Sequence, residues 1–274
     1  MTAAPLIGHC ASPDLHVMTF NIRRRMQHVD RRNADLWSRR RPAIRRLLDT
    51  EQPAILGVQE ALPDQAEFVA MSLGRTYKRI GRGRSAERRG EGCPVFYDTE
   101  RLRVREWTQF ALSDTPEVAG SRSWGNFVPR IVVSVAFTDR ATGRDFHFFN
   151  THFDHLSQRS RIRSAQMLDR LVDDAATPSI VTGDFNTSVG TEPHTELLKG
   201  GTLRDAWQAA GHRLTEQWGT FPNYRAPKLD RKRIDWILVG RGVEVLSAGI
   251  NPARDAGVAA SDHLPVQAVI RLDP

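Results

Sequence analysis

Cysteine and long hydrophobic runs are both scarce in this sequence. Cys10 and Cys93 are the only cysteines in 274 residues, too few for a disulfide framework and without the C-x-x-C spacing of structural zinc. The nearest approach to a membrane segment, IVVSVAF at residues 131–137, falls well short of the roughly 18 apolar residues that a transmembrane helix needs. We therefore exclude a disulfide-rich domain and a membrane-spanning protein, and we expect no membrane insertion.

The N-terminus also lacks the features of an export signal. The stretch MTAAPLIGHCASPDLH has no basic region followed by a long apolar segment, so we expect a cytoplasmic protein. No repeat, low-complexity tract or linker divides the chain, and its 274 residues suit one large core. We predict an N-terminal extension at residues 1–13 and a single domain at residues 14–274, and we expect a monomer.

Lysine is rare although the chain is basic. The 39 basic residues include four lysines, Lys78, Lys199, Lys228 and Lys232, and the formal net charge is +7. Such a balance favours polyanionic partners, nucleic acid among them. A hydrated arginine surface that reflects codon bias explains the charge equally well. A nucleic-acid partner therefore stays open at this point.

Apolar or alternating runs of strand length recur along the chain, among them LHVMTFNI, AILGVQE, RIVVSVAF, DFHFFNTHF, SIVTGDFN and RIDWILV. Between them, the spacing of apolar residues predicts helices at about residues 42–49, 64–73 and 160–176, the second ended by Gly74. The glycine-rich, charged residues 81–92 indicate a mobile surface loop. This order predicts a layered α/β or α+β domain with at least two sheets.

Several of the strand-like runs end in a polar residue that a buried strand has no structural use for. These residues are Asn21, Glu60, His152, Asp184, Asn186, Asp262 and His263. Each one alone is explained by a turn or a helix cap. Burying any of them without a partner is costly, so most must be exposed or paired. Together they indicate one cleft at the strand ends.

The residues of this set offer carboxylate and amide oxygens and no thiolate. Such oxygens suit a hard divalent ion, Mg²⁺ or Mn²⁺, and suit zinc poorly. Magnesium takes few carboxylates and leaves positions for a phosphate oxygen. The histidines then fit acid/base roles better than ligand roles, because imidazole titrates at about pH 6.5.

Taken in order, TFN, QE, GEGCPVFY, PRIVV, NTHFDH, GDFN, RIDWILV and SDHLPV resemble the endonuclease/exonuclease/phosphatase superfamily over nearly the whole chain. Each motif alone is weak, but the complete ordered set is specific. The resemblance implies a four-layer α/β/β/α sandwich of the DNase I-like type, with two sheets packed face to face, helices outside and the active site at one end. This implied fold agrees with the layered pattern.

The same resemblance implies a metal site and a water-activating residue. Glu60 resembles the main metal-binding carboxylate, with Asn21 and Asp262 close to a Mg²⁺ ion, or to Mn²⁺ in its place. Asp184 of GDFN resembles the residue that positions or deprotonates the attacking water. Asn186 resembles a donor to a phosphate oxygen.

Two histidines are implied as catalytic groups. His263 of SDH resembles the acid/base or phosphate-stabilising histidine, with Asp235 of RIDWILV as its carboxylate partner. His152 of NTH resembles a second active-site histidine, for which Glu91 is a candidate partner. These four residues complete the implied catalytic set.

Two further residues are candidates for substrate binding, one from the resemblance and one from its position in the sequence. Arg130 of VPRIVV resembles an arginine near the scissile phosphate, and an exposed arginine at a strand start is its alternative. Asp154 of NTHFDH lies close enough to His152 in sequence to share the site.

Our leading hypothesis is a Mg²⁺-dependent hydrolase of phosphate esters, a phosphodiesterase or nuclease that uses an activated water. A phosphomonoesterase or a lipid or inositol phosphate hydrolase is the alternative within the same superfamily. HFDH also suggests a zinc hydrolase, but the H-x-H element that such a site needs is missing. A non-catalytic binding relative is the remaining alternative. The substrate, and endo against exo cleavage, stay open.

Overall fold

The computed structural model describes residues 4–26 and 34–273. Its strands are β1 (Leu15–Asn21), β2 (Ile55–Gln59), β3 (Tyr77–Ile80), β4 (Val95–Asp98), β5 (Leu102–Ala111), β6 (Ile131–Asp139), β7 (Asp145–His152), β8 (Ser179–Asp184), β9 (Leu203–Asp205), β10 (His212–Arg213), β11 (Asp235–Gly240), β12 (Val243–Ile250), β13 (Arg254–Asp255), β14 (Val258–Ala259) and β15 (Val266–Leu272). Its helices are α1 (Trp37–Glu51), α2 (Pro63–Leu73), α3 (Gln158–Asp174), α4 (Glu192–Leu198) and α5 (Ala206–Ala209).

The strands form two large mixed sheets and one small hairpin. The first sheet has the order β10-β12-β15-β1-β2-β4-β3, the second has the order β5-β6-β7-β8-β11-β9, and β13 pairs with β14. β1 and β2 are parallel, as are β7 and β8, whereas β11 runs antiparallel to β8. The ends of β1, β2, β7 and β8 and the start of β11 therefore lie at the same end of the two sheets.

The main core lies between the two sheets. Val17, Ile55 and Val95 of the first sheet belong to the same buried cluster as Val135 and Phe148 of the second. Successive strand residues point to opposite faces, so the neighbours of these residues face outward toward the helices. Strands covered on both faces read as nearly continuous apolar runs, as the sequence shows.

Helices cover both outer faces. The cluster outside the first sheet joins Ile44 and Leu48 of α1 and Val69 of α2 to Phe20 and Val58. The cluster outside the second sheet joins Leu168 of α3 and Leu197 of α4 to Phe149, Val181 and Trp236. The predicted four-layer α/β/β/α sandwich is confirmed.

The predicted helices are present, with one shifted start. α1 begins at Trp37, about five residues before the expected start, and contains Pro42 in its interior. Proline is most common in a first helical turn, so the pattern indicated a start there. Gly74 follows α2 at φ 109°, as expected of a glycine at a helix end. None of the helices within residues 4–26 and 34–273 combines the length and the apolar character required to cross a membrane.

Buried amides connect the two sheets near the same end. Gln59 Nε2 donates to Asn150 Oδ1 at 2.7 Å and to Thr19 Oγ1 at 3.0 Å. Asn150 Nδ2 donates to the Val58 carbonyl at 2.9 Å, and Thr182 Oγ1 donates to Asn150 Oδ1 at 3.1 Å. Because each sheet contributes members, this network fixes how the sheets are aligned.

Residues 6–8 of the predicted extension bind the domain through Glu51, the last residue of α1. The backbone N–H groups of Leu6, Ile7 and Gly8 donate to the Glu51 carboxylate at 2.8–3.1 Å. The Gly8 carbonyl lies 2.8 Å from Nδ1 of His16, whose ring is fully buried. Burial lowers the pKa of His16 to about 4.

Candidate active site

The candidate active site lies where strands of both sheets end side by side. β1 ends at Asn21, Glu60 follows β2, β7 ends at His152 and β8 ends at Asp184. Asp184 pairs with His152 on one side and with Asp235, the first residue of β11, on the other. The structure thus brings together residues that are far apart in the sequence, as their positions at strand ends indicated.

His263 lies between two carboxylates. Its Nδ1 is 3.0 Å from Asp235 Oδ2, and its Nε2 is 3.7 Å from Asp184 Oδ2. The exposed fraction of the three residues is 6%, 0% and 1% for His263, Asp235 and Asp184 respectively. The ring of Phe221, which is about half exposed, packs on the other side with its centroid 4.8 Å from the His263 ring.

This arrangement raises the pKa of both His263 and Asp184. Burial alone lowers the pKa of His263, but Asp235 and Asp184 outweigh it and raise that pKa to about 10. The ring is therefore an imidazolium at neutral pH, with a proton on each nitrogen. Burial and the neighbouring Asp235 raise the pKa of Asp184 to about 7. A carboxyl group that titrates near neutrality is well matched to proton transfer.

Asn21 joins Glu60 to Asp184 across the two sheets. Its Nδ2 donates to Glu60 Oε1 at 3.1 Å and to Asp184 Oδ2 at 2.9 Å, and its Oδ1 accepts from the backbone N–H of Arg23 at 2.9 Å. The sequence placed Asn21 close to an ion. In this structure its amide nitrogen, which is a donor and not a metal ligand, faces the carboxylates. Asn21 therefore orients Glu60 and Asp184.

Glu60 is held in an unusual backbone conformation. Its φ of 62° lies in the left-handed region, which is strained for a residue with a side chain. Its Oε2 accepts from the backbone N–H of Arg24 at 3.0 Å. Burial raises the pKa of Glu60, but the hydrogen bonds from Arg24 and Asn21 outweigh it and hold that pKa below its usual value. Glu60 is therefore a preorganised carboxylate.

Asp262 faces Glu60 across a guanidinium group. Arg23 Nε lies 3.7 Å from Asp262 Oδ2, and Arg23 Nη1 lies 3.8 Å from Glu60 Oε2. The other Asp262 oxygen accepts from Ser261 Oγ at 3.1 Å. Burial raises the pKa of Asp262. Two carboxylates thus share one cation at distances too long for direct hydrogen bonds.

His152 and Asn186 form a second hydrogen-bonded pair. Asn186 Nδ2 donates to His152 Nε2 at 2.9 Å and to the Phe153 carbonyl at 3.0 Å, while its backbone N–H donates to Asp184 Oδ1 at 2.9 Å. Burial and the positive charge of Arg130 hold the pKa of His152 well below its usual value, so the ring is neutral. Both amide hydrogens of Asn186 are engaged here, and the phosphate-donor role inferred for it from the sequence requires one to be released.

Arg130 is a buried cation next to this pair. It is 3% exposed, its Nε donates to Asp154 Oδ2 at 3.3 Å, and its Nη2 lies 2.9 Å from His155 Nδ1. Among the described residues, its Nη1 is buried without a hydrogen-bond partner. Asp154 also accepts from the backbone N–H groups of Leu156 and Ser157 at 2.9 and 2.7 Å. Asp154 therefore orients Arg130.

The sequence interpretation paired Glu91 with His152, and this pairing is not what the structure contains. Glu91 Oε1 accepts from Arg24 Nη1 at 2.9 Å, and Oε2 forms an ion pair with Arg84 Nη2 at 2.9 Å. Each oxygen of the Glu91 carboxylate is therefore bound to an arginine. Residues 81–92 fold back on themselves, and Gly83 and Gly92 form a bridge between the two arms. The composition of this segment predicted a mobile surface loop, and the structure shows a paired one.

Sequence reasoning did not single out three of the arginines at this site, Arg23, Arg24 and Arg84. Arg23 contacts the Glu60 and Asp262 carboxylates, and the other two bind Glu91. A signal for the first two was present, because they follow Asn21 in FNIRRR with only Ile22 between. Basic residues next to a functional strand end are placed in the same cleft by the backbone.

The described residues offer two positions for a cation. Ligand atoms of Asp184, Asp235 and His263 lie within 4.8 Å of one another, but the positive charge of a protonated His263 already offsets part of the negative charge of the two carboxylates. Glu60 Oε2, which also accepts from the backbone N–H of Arg24, and Asp262 Oδ2 lie 3.8 and 3.7 Å from Arg23 and keep lone pairs for a cation. An oxygen-only donor pair of this kind fits a hard divalent ion.

Comparisons with known proteins agree with this geometry. A family model described as the Endonuclease/Exonuclease/phosphatase family matches residues 18–263. An endonuclease/exonuclease/phosphatase family protein from Bacteroides thetaiotaomicron is 30% identical and covers 95% of this chain and 98% of its own, with a TM-score of 0.88. A mannosyl-6-phosphatase from the same organism is 29% identical and covers 93% of this chain and 99% of its own, with a TM-score of 0.86.

A relative known from its sequence is less similar. An uncharacterized protein of Acanthamoeba polyphaga mimivirus is 27% identical over 194 residues, which are 63% of this chain and 67% of the relative. The family model spans most of the chain, and the two bacterial structures share its sandwich over nearly their full lengths. The chain therefore belongs to the endonuclease/exonuclease/phosphatase family, a family of hydrolases with the DNase I-like fold.

Proposed function

We propose that this protein is a Mg²⁺-dependent hydrolase of phosphate esters, with Mn²⁺ as a substitute, that attacks phosphorus with an activated water. The observation that carries the proposal is the buried Asp184, His263 and Asp235 group, with Asp184 joined to Glu60 through Asn21. It combines a carboxyl poised for proton transfer with a fixed imidazolium.

Glu60 and Asp262 are the residues that would hold the ion, and Asn21 keeps Glu60 in place. The distances from Arg23 to these two carboxylates, 3.8 and 3.7 Å, leave both with capacity to bind a cation. A bound Mg²⁺ supplies positive charge to a phosphate oxygen and so favours attack on phosphorus. Arg23 adds a further positive charge on the same side.

Asp184 and His263 then divide the proton transfers. Asp184 orients the water and takes its proton as the water oxygen bonds to phosphorus. The ester bond between phosphorus and the leaving oxygen breaks, and His263 Nε2 donates a proton to the leaving oxygen. Asp235 keeps Nδ1 bonded and the ring fixed, as a carboxylate does in other acid/base pairs. The products are an alcohol and a phosphate with one ester bond fewer.

Arg130 and the His152–Asn186 pair would bind the phosphate oxygens. The unpartnered Nη1 of Arg130 is a buried donor that a phosphate oxygen satisfies. Neutral His152 and Asn186 provide further hydrogen-bonding groups beside Asp184. Asp154 and Glu91 act through the arginines that they bind.

The substrate that we propose is a phosphate monoester of a carbohydrate. The mannosyl-6-phosphatase is 29% identical to this chain and matches it over 93% of its length. A phosphodiester, including nucleic acid, is the second candidate, favoured by the net charge of +7 and by the four arginines at the site.

Metal removal tests the proposal directly. We expect hydrolysis to stop with EDTA and to return with Mg²⁺ or Mn²⁺. Para-nitrophenyl phosphate represents the monoester substrates in this assay, and bis(para-nitrophenyl) phosphate represents the diesters. Activity that survives chelation contradicts the metal requirement. Recovery with zinc alone supports the zinc hydrolase alternative.

The His263→Ala variant tests the catalytic assignment. We expect kcat to fall by roughly 10²–10⁴-fold, because the acid is lost, while the circular dichroism spectrum stays unchanged. His212→Ala is the matched control, since His212 is an exposed histidine on β10. Equal activity of the two variants would remove His263 from the reaction.

A further inference from the structure

A basic pocket adjoins His263 on the side of Phe221. Residues between 219 and 234 enclose a volume of about 460 Å³, large enough for a sugar phosphate. Its lining includes Phe221 together with four cations, Arg225, Lys228, Arg231 and Lys232. Because Phe221 lines the pocket and its ring contacts the His263 ring, one side chain separates this pocket from the proposed reaction centre. Two of the four lysines of the chain lie here.

The backbone of this segment is held in a defined shape. The Gly219 N–H donates to the Lys228 carbonyl at 3.1 Å, and the Thr220 N–H donates to the Lys232 carbonyl at 3.2 Å. The Asn223 N–H donates to the carbonyl of Asp262 at 3.0 Å, directly before His263 in the chain. This last hydrogen bond connects the pocket segment to the catalytic segment and fixes its position relative to His263.

The pocket lining carries an excess of positive charge. None of its lining residues is acidic, and within the described part of the chain its four cations form no ion pair with a carboxylate. The arginines of the catalytic site differ, because Arg23, Arg84 and Arg130 all face carboxylates. Residues 219–234 contain one acidic residue, Asp230, against these four cations, so the concave space attracts an anion.

We propose that this pocket binds a second phosphate of the substrate, one that is not cleaved. The inference rests on the proposed function and extends it, since it assigns the substrate class as an ester with two phosphate groups. With the scissile phosphate at His263, the group that joins the two phosphates packs against Phe221. A small bisphosphate ester and a nucleic-acid strand both offer such a second phosphate, and the experiment separates them.

The test compares substrates that differ by one phosphate. For wild-type protein, we expect kcat/KM to be at least about tenfold higher for fructose 1,6-bisphosphate than for fructose 6-phosphate, or for a thymidine dinucleotide with a 5′ phosphate than for the same dinucleotide without it. The pair that shows the preference identifies the source of the second phosphate. Equal values in both pairs overturn the proposal.

The variant Lys228→Gln/Lys232→Gln then assigns the preference to the pocket. We expect the preference to fall to nearly one, while Lys78→Gln, which changes an exposed lysine on β3, keeps the wild-type ratio. These side chains are exposed and the backbone carbonyls that fix the loop remain, so folding is preserved. A ratio unchanged in the double variant overturns the proposal.

Binding without turnover separates this inference from the proposed function. We expect calorimetry with His263→Ala to show about tenfold weaker binding of the preferred bisphosphate compound after Lys228→Gln/Lys232→Gln is added. If the wild type hydrolyses no ester but this loss of affinity appears, the proposed function is wrong and the pocket assignment stands. If affinity is unchanged, the pocket assignment is wrong.

Discussion

His16 is an imidazole that the fold buries in its neutral form. Its Nδ1 lies 2.8 Å from the Gly8 carbonyl, and among the described residues its Nε2 has no hydrogen-bond partner. Burial lowers its pKa to about 4, against the opposing influence of Glu51. The unfolded chain, with an ordinary histidine pKa of about 6.5, therefore binds a proton more readily than the folded chain.

This difference predicts an acid-sensitive stability. The contribution of His16 is complete above about pH 6.5 and is lost as the pH falls toward about 4, with an upper limit of roughly 3 kcal/mol. We expect urea unfolding at pH 7 and pH 4 to show a smaller loss of unfolding free energy for His16→Gln than for wild type. The same loss in both proteins would contradict this assignment.

Individual residues of the candidate site were predictable to different degrees. Asp184 and His263 could be singled out because they follow strand-like runs, and parallel neighbours bring strand ends together, whereas Asp235 was indicated by the family resemblance of RIDWILV. The partner of Glu91 could not be predicted, because it depends on how residues 81–92 fold back toward Arg24. Long-range contacts determine which side chains pair within loops, and the local sequence pattern does not predict these contacts.

At the scale of elements, the end of α1 serves as an anchor for the N-terminal segment. Glu51 is an unfavourable residue for a helix C-terminus by charge alone. Three backbone N–H groups from residues 6–8 and the side chain of Asn251 compensate by donating to its carboxylate. The position of this segment therefore depends on one buried side chain.

Glu51→Ala should detach the segment. We expect the free energy of unfolding to fall by about 2–5 kcal/mol, because buried donors lose their charged acceptor. Hydrogen exchange at Leu6, Ile7 and Gly8 should accelerate. Asp49→Ala is the matched control, since Asp49 is an exposed acidic residue of the same helix. Similar exchange in both variants would argue against the anchor.

Elements themselves were predicted better than their boundaries. The helical period of residues 160–176 indicated α3, which extends from Gln158 to Asp174. The start of α1 was missed because Pro42 resembles a helix start, whereas tertiary contacts of Ile44 and Leu48 sustain a longer helix around it. Packing outweighs local preference at such positions.

At the scale of the whole molecule, the two sheets approach closely at Gly57. A Cβ atom at this position would lie 2.4 Å from Thr182 Oγ1 and 2.6 Å from Asn150 Oδ1, both in the opposite sheet. Gly57 is therefore needed for the contact between the sheets and for the amide network beside the site.

Gly57→Ala should weaken this contact. We expect a loss of about 1–3 kcal/mol in unfolding free energy by chemical denaturation, because the sheets must separate or the network must rearrange. Gly200→Ala is the control, since its nearest new contact would be an ordinary 3.6 Å. Equal stability of the two variants would mean that the sheets adjust without cost.

The layered architecture could be predicted from the sequence, whereas the order of strands could not. Alternating apolar runs and helical segments indicate two sheets with helices outside. The pairing of β1 with β15 places Leu15 opposite Ile270, although most of the chain separates them in sequence. The residues of neither strand identify the other as its partner. Strand order is decided by the total burial of both sheets.

The register of β8 and β11 places Asp184 directly opposite Asp235, so two acids of like charge meet inside the sheet beside His263. Like charges at such a position oppose folding. The imidazolium of His263 offsets part of this repulsion, and a cationic ligand that offsets the remainder would raise the melting temperature. Thermal shift assays are therefore a practical way to screen ions and compounds for binding to this protein.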